Sequence, residues 1–285
     1  MNSVAELKLH TYLDKATKGL ADMSDDTIEQ VVSHIRTALK KQFQKKEQEK
    51  GFRLRMSNIG KPYCQLWFQK NKPNERVLPP AKLIMNFMLG DIVEAVFKGV
   101  LREAGVQYDD TENEVSLPLK DGVKIKGSYD LVLDGAVDDI KSASGWSYTN
   151  KFQSFDTVKS SDPFGYVGQL AGYAKASGKK AGGWWVLNKN NADFKYIPAT
   201  GMDVEEEINK IQSTVNRLKE NKFERCFDSV PETFRGKPTG NDVLNKNCKF
   251  CEFRFTCWSS LVEKPQTLSK AREPKIMSYV KLKEA

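Results

Sequence analysis

At 285 residues, with 39% hydrophobic and 29% charged residues, the chain is long enough to bury a sizeable core as one large domain with a helical appendage. No run approaches the ~20 apolar residues needed to cross a bilayer, and charges occupy "MNSVAELKLHTYLDK" where a signal peptide would be apolar, so the expectation is a cytoplasmic protein without a membrane span. A net charge of +8 suits a polyanionic partner, and five cysteines, an odd number in a reducing compartment, suit metal binding or catalysis better than disulfides.

Residues 4 to 50 read as helical. Ile28, Val31, Val32, Ile35 and Leu39 follow a helical period behind an Asp26/Glu29 capping box, and Gly51 closes the run "KKQFQKKEQEKG". That run reads either as a solvated helix end or as a DNA-contacting arm. Leu83 to Ala104 reads as an apolar helix stopped by Gly105 and expected to be substantially buried. Strands follow at "NEVSLPL", "VKIKGSYDLVLD" and "AVDDIKSAS", the last two joined by Asp134-Gly135, a two-residue hairpin signal. A polar and aromatic stretch, Ser142 to Pro163, leads to the helix "YVGQLAGYAKASG", strands "GGWWVLNK" and "FKYIPA", a helix over 203–222 and the segment "CKFCEFRFTC".

If Asp134 and Gly135 form the loop, residue 133 pairs with 136, 131 with 138, and Asp130 lies across from Asp139. Opposed carboxylates at that spacing destabilise a sheet unless a cation compensates. Lys141 shares a face with Asp139, one pleat further on. The arrangement suits either a solvated surface hairpin or a Mg²⁺ site of carboxylates, waters and phosphate oxygens, and the apolar neighbours Leu131, Val137 and Ile140 make full exposure harder to accept. Gln169 and Tyr173, four residues apart, share one helix face. Trp146, Tyr148, Phe152 and Phe155, interleaved with Lys151 and Lys159, read either as core or as a single-strand stacking track. The spacing C-x2-C-x5-C of Cys248, Cys251 and Cys257 favours zinc on thiolate chemistry alone, with an iron-sulfur cluster second. Cys226 reads as a buried hydrophobe outside that site.

The order "GSYDLVLDGAVDDIKSAS" then "QLAGY" resembles the RecB-type branch of the PD-(D/E)XK nuclease superfamily, with its D…D-x-K and Q-x-x-x-Y motifs. Cys64 upstream with C-x2-C-x5-C downstream is similar to its iron-sulfur subgroup: the AddB nuclease domain and the CRISPR-associated Cas-four exonucleases, whose relatives also occur in phages. The likeness spans Ser57 to Trp258. The RecB-type helix before the sheet carries G-x-x-x-H, whereas "GDIVE" puts Glu94 at the histidine position; His10 and His34 both lie in the N-terminal helices.

The resemblance implies an α/β fold, a restriction-endonuclease-like central mixed β-sheet flanked by helices. It divides the chain into an N-terminal helical region (1–56), a nuclease domain closed by a four-cysteine cluster (57–258) and a basic C-terminal tail (259–285). It implies a metal-dependent DNA exonuclease acting on single strands or DNA ends. Glu94, Asp130, Asp139 and the Ile140 carbonyl would bind Mg²⁺ or Mn²⁺, Lys141 would serve the reacting phosphate, and Gln169 and Tyr173 would steady the lysine or the strand. Cys64, Cys248, Cys251 and Cys257 would hold a 4Fe-4S cluster, with zinc as the alternative. Trp146, Tyr148, Lys151, Phe152 and Phe155 are the candidate nucleic-acid contacts. A homo-oligomer and recombination or CRISPR-adaptation partner proteins enter from the same group, and a phage-encoded member would act in the host cytoplasm. The alternative class is a non-catalytic DNA-binding or recombination accessory protein with a nuclease-like fold and structural zinc.

Overall fold

The computed structural model describes residues 4–44, 51–78, 80–110 and 114–283; half of the charged run read as a helix end or DNA arm, residues 45–50, lies outside them. Helices α1 (Val4–Thr17), α2 (Asp25–Phe43), α3 (Tyr63–Asn71) and α4 (Lys82–Glu103) come first. Strands β1 (Tyr108–Asp109), β2 (Glu114–Pro118), β3 (Lys124–Ser128), β4 (Leu131–Leu133) and β5 (Ala136–Ala143) follow. Then come α5 (Gly145–Asn150), α6 (Phe155–Ser160), α7 (Tyr166–Ser177), β6 (Lys180–Asn188), β7 (Phe194–Pro198) and α8 (Val204–Glu220). The chain ends with β8 (Val230–Phe234), β9 (Lys237–Val243), α9 (Arg254–Cys257), β10 (Val262–Pro265) and β11 (Ile276–Lys281). Among the described residues no helix is long and apolar enough to cross a membrane.

The main sheet runs β1-β4-β5-β6-β7, with β5 and β6 parallel and the other neighbours antiparallel. The parallel pair needs a long crossover, which α5, α6 and α7 supply. One face packs Val137, Trp184, Val186 and Ile197 against Val167 and Leu170 of α7 and Ile208 and Ile211 of α8. The opposite face packs Leu131, Ile140 and Trp185 against Phe97 and Leu101 of α4 and Ala5 and Leu9 of α1. The architecture is thus α/β, a mixed sheet between helical layers, and the strict alternation along β5 sends Asp139 and Lys141 to the α7 side.

Four expectations change. The stretch 123–134 is two strands: β3 pairs with β2 and, at Lys126, bridges to Arg55, and after Tyr129 and Asp130 the chain enters the main sheet as β4. The cap of α2 is Ser24, two residues before Asp26, with the Thr27 amide donating to its Oγ at 3.4 Å. In α4 only the second half is buried: Ala95, Phe97 and Leu101 are buried, while Ile84, Met85, Phe87 and Leu89 are exposed. The region 259–285 was expected as a tail; its described part instead adds β10 and β11 to an antiparallel sheet of order β10-β11-β9-β8. Buried Glu232 stabilises that sheet, accepting from Thr239 Oγ1 (2.7 Å), Asn241 Nδ2 (2.8 Å) and Tyr279 Oη (3.1 Å).

Candidate active site

The β4-β5 hairpin has the expected register, Leu133 with Ala136, Val132 with Val137 and Leu131 with Asp138. Asp134 and Gly135 both take positive φ, 50° and 75°, as a two-residue turn of matching twist requires. Asp130 itself is not part of the ladder. It sits in the break between β3 and β4, and its Oδ2 accepts the Ile140 amide at 2.6 Å. A residue freed from strand pairing can turn its carboxylate onto the adjoining strand, and so Asp130 meets Asp139 through the neighbouring backbone. The contact found at Ile140 is from its N–H.

Lys141 Nζ donates to Asp139 Oδ1 at 2.8 Å and approaches Gln169 Oε1 at 3.4 Å. Gln169 Nε2 in turn donates to the Tyr173 hydroxyl at 3.3 Å. Burial, with Asp139 adding, raises the Tyr173 pKa and keeps it a neutral phenol. Its oxygen takes the amide nitrogen, so the amide oxygen is left facing the ammonium. The helix that carries both residues begins at Gly165 (φ 78°), whose amide donates to Asp162 Oδ1 at 3.0 Å; Val167 donates to Asp162 Oδ2 at 2.9 Å. Gly60 packs so closely on Gly165 that a Cβ on either would collide with the other's backbone. The start of α7 is therefore set against the segment that leads to Cys64.

The electrostatics are those of too many buried acids. Burial raises the Asp130 carboxyl well above the usual range, Glu94 and Asp139 raise it further, and Lys141 and the Ile140 amide oppose them. Burial also raises Asp139, with Lys141 opposing and Glu94 adding. Burial by itself would lower the Lys141 ammonium, but Asp139 and Asp130 outweigh it and its pKa rises, so the lysine stays cationic. Glu94 approaches from α4 while pairing with Lys98 Nζ at 2.9 Å. The buried Asp139 Oδ2, though 2.6 Å from Lys141 Nζ, has no hydrogen bond of acceptable geometry. Two carboxylates, Asp130 and Asp139, act on Lys141, and Glu94 acts on both of them; these oxygen donors and the orphaned Asp139 oxygen are of the type that a hard divalent cation takes.

All five cysteines are free thiols. Cys64 opens α3, and the segment 248–257 folds onto that helix: Phe253 stacks on Phe68 (centroids 5.4 Å), the Val77 amide donates to the Glu252 carbonyl (2.7 Å), and Gln69 Nε2 donates to Glu252 Oε1 (2.8 Å). Burial pushes the Cys248 thiol up to about 12 and Cys251 to about 11, and the charges of neighbouring cysteines add to both. Cys226 is a departure from the expectation. It is half-buried against Cys64, whose amide donates to its Sγ at 3.0 Å, and it acts electrostatically on Cys248 and Cys257 as well. Five mutually acting thiols suit a soft metal or an iron-sulfur group, with two residues, Cys64 and Cys226, able to supply a fourth donor. Among the described residues no group of three or more His, Cys, Asp or Glu side chains is placed to hold a metal ion, either here or at the carboxylates.

The expected nucleic-acid contacts divide. Trp146 is 71% exposed. Tyr148 is half-buried beneath Lys195, whose Nζ lies 4.1 Å from the ring centroid. Phe152 and Phe155 are buried, Phe152 stacking on Tyr166 and Phe155 on Trp184, so their role is in the core and not on a strand. Lys151 turns inward to Asp162 at 3.6 Å and to the Tyr166 ring at 4.4 Å. In the short α6 Phe155 and Val158 are the buried side, whereas α5 buries no residue. Tyr166 was missed: its ring lies 5.1 Å from Lys141 Nζ, and its place three residues before Gln169, on the same helix face, was the available signal.

No family model matches the chain. No curated protein matches it either. Among solved structures, the crystal structure of SSO0001 aligns with 79% of this chain and 95% of its own, at 14% identity and a TM-score of 0.44.

Proposed function

We propose that the chain is a Mg²⁺- or Mn²⁺-dependent deoxyribonuclease with a restriction-endonuclease-like sheet, cutting single-stranded DNA or DNA ends as an exonuclease. The observation that carries the reading is the convergence of Asp130, Asp139 and Lys141 at one hairpin, with an Asp139 oxygen buried and lacking a hydrogen bond. Asp130, Asp139 and Glu94 would hold the cation, which when bound supplies an activated water and neutralises charge developing on the phosphate. Lys141, kept cationic by the same carboxylates, is placed to stabilise the charge that grows on the phosphoryl oxygens. Gln169 orients the ammonium, and Tyr173 fixes which end of the Gln169 amide faces it. No serine, cysteine or histidine nucleophile is needed. The cysteine segment would hold a 4Fe-4S cluster with a structural role, tying the segment before the sheet to the one after it.

The test is cleavage of end-labelled single-stranded and duplex DNA with Mg²⁺, with Mn²⁺ and with EDTA. Metal-dependent cleavage that Asp139→Ala and Lys141→Ala abolish is expected. Cleavage that survives both substitutions would remove this site from the chemistry.

A further inference from the structure

We propose that Tyr166, Phe164 and Phe250 form a stacking track along which a single DNA strand reaches Lys141; the inference rests on the nuclease reading and extends it to substrate contacts. The Tyr166 ring, beside the Lys141 ammonium, stacks on Phe164 with centroids 5.6 Å apart and planes 23° apart. Phe164 continues to Phe250 at 5.8 Å and 31°. The row thus runs outward from the catalytic lysine to the Cys248–Cys251 loop, joining two segments distant in sequence.

Burial falls along the row. Tyr166 is half-buried, Phe164 is 41% exposed and Phe250 is 64% exposed. The outer rings therefore do little for the core, unlike Phe152 and Phe155, yet Phe164 stacks on Tyr166 and Phe250 meets Phe164 at a tilt. Exposed flat rings at successive stacking distances suit unpaired bases, whose faces are free; in a duplex those faces are already covered. The flanking charge suits a phosphate backbone: Lys249 Nζ lies 5.6 Å from the Phe250 centroid, and Lys246 and Lys249 are both exposed. On this account the cysteine segment contributes to substrate binding as well as to stability, because it presents Phe250.

The experiment is fluorescence anisotropy of the full chain with a labelled oligodeoxynucleotide, single-stranded or annealed to its complement, in EDTA so that nothing is cut. Phe250→Ala and Phe164→Ala should each weaken single-strand binding on the order of tenfold, with duplex affinity unchanged, and Phe250→Trp should retain wild-type binding. Because Phe250 is mostly exposed its variants should fold, which circular dichroism verifies. Unchanged single-strand affinity in both alanine variants, or equal losses on duplex, would overturn the track. Cleavage assays on the same protein variants, with Mg²⁺ or Mn²⁺ in place of EDTA, separate the two readings. Ring-dependent binding without any metal-dependent cleavage keeps the track and removes the nuclease; cleavage with ring-independent binding removes the track alone.

Discussion

The Ile140 amide donates to Asp130 Oδ2 at 2.6 Å, fastening the residue between β3 and β4 to the strand that carries Asp139 and Lys141. One hydrogen bond thereby brings together acids that would otherwise repel. Asn at 130 could still accept that amide through Oδ1 while removing one charge. In the metal-free protein Asp130→Asn should raise stability by about 1 kcal/mol, since burial first, and then Glu94 and Asp139, oppose an ionised Asp130. Urea unfolding in EDTA measures this, and DNA cleavage by the same variant should be lost. A destabilised variant would mean that the acids do not repel as their placement requires.

Lys141 and Gln169 should differ in the size of their effects. Lys141→Ala removes the only ammonium hydrogen-bonded to Asp139 among the described residues, and it should lower kcat by about 10²–10³. Gln169 acts through the lysine across 3.4 Å, so Gln169→Ala should cost less, on the order of tenfold, with KM little changed. Steady-state cleavage kinetics compare the two, and a Gln169 loss equal to that of Lys141 would assign the amide a direct role on substrate.

Asp138, on the opposite face of β5, makes stability pH-dependent. Burial pushes its carboxyl up to about 7, against the hydrogen bonds that it accepts from Tyr196 Oη (2.9 Å) and Trp185 Nε1 (3.1 Å). A raised folded pKa means that the stabilising protonated form is complete below the unfolded value near 4 and is lost as pH rises through about 7. The total across that window is on the order of 3 kcal/mol. Asp138→Asn should flatten this part of the stability profile, with Tyr196 rotating its hydroxyl to accept from the new amide. Thermal unfolding from pH 4 to 8 checks it; an unchanged slope would place the pH dependence elsewhere.

The two candidate fourth thiols can be separated. Cys64→Ser should lose iron, or zinc, on anaerobic purification and unfold at lower temperature, because the link between α3 and the 248–257 segment is then broken. Cys226→Ser should retain the metal. Metal analysis of both variants decides, and the reverse result would make Cys226 the fourth donor and Cys64 its hydrogen-bonding neighbour.

The hairpin, its register, and the shared face of Asp139 and Lys141 were legible because each follows from short-range rules: a two-residue turn and a period of two. Gln169 and Tyr173 were legible from helical spacing in the same way. The break that frees Asp130 was not, since 123–134 looks continuous until β3 is seen to pair with β2 and β4 with β5. The inward turn of Phe152 and Phe155 was equally hidden, because an aromatic residue in a polar stretch has the same local signature whether Trp184 or solvent lies beneath it.

The sequence by itself determined the local geometry of the candidate site: which residues share a face, where the chain turns, and which side chains can bind cations or phosphate. Only the tertiary structure decided that Cys226 joins the other thiols, that 262–281 closes a second sheet, and that Phe164 and Phe250 extend outward from Lys141. The physical reason is range. Periodicity and turn chemistry act over a few residues and are written in the local pattern, whereas what covers a face depends on segments up to two hundred residues away, whose meeting is settled by the packing of the whole core.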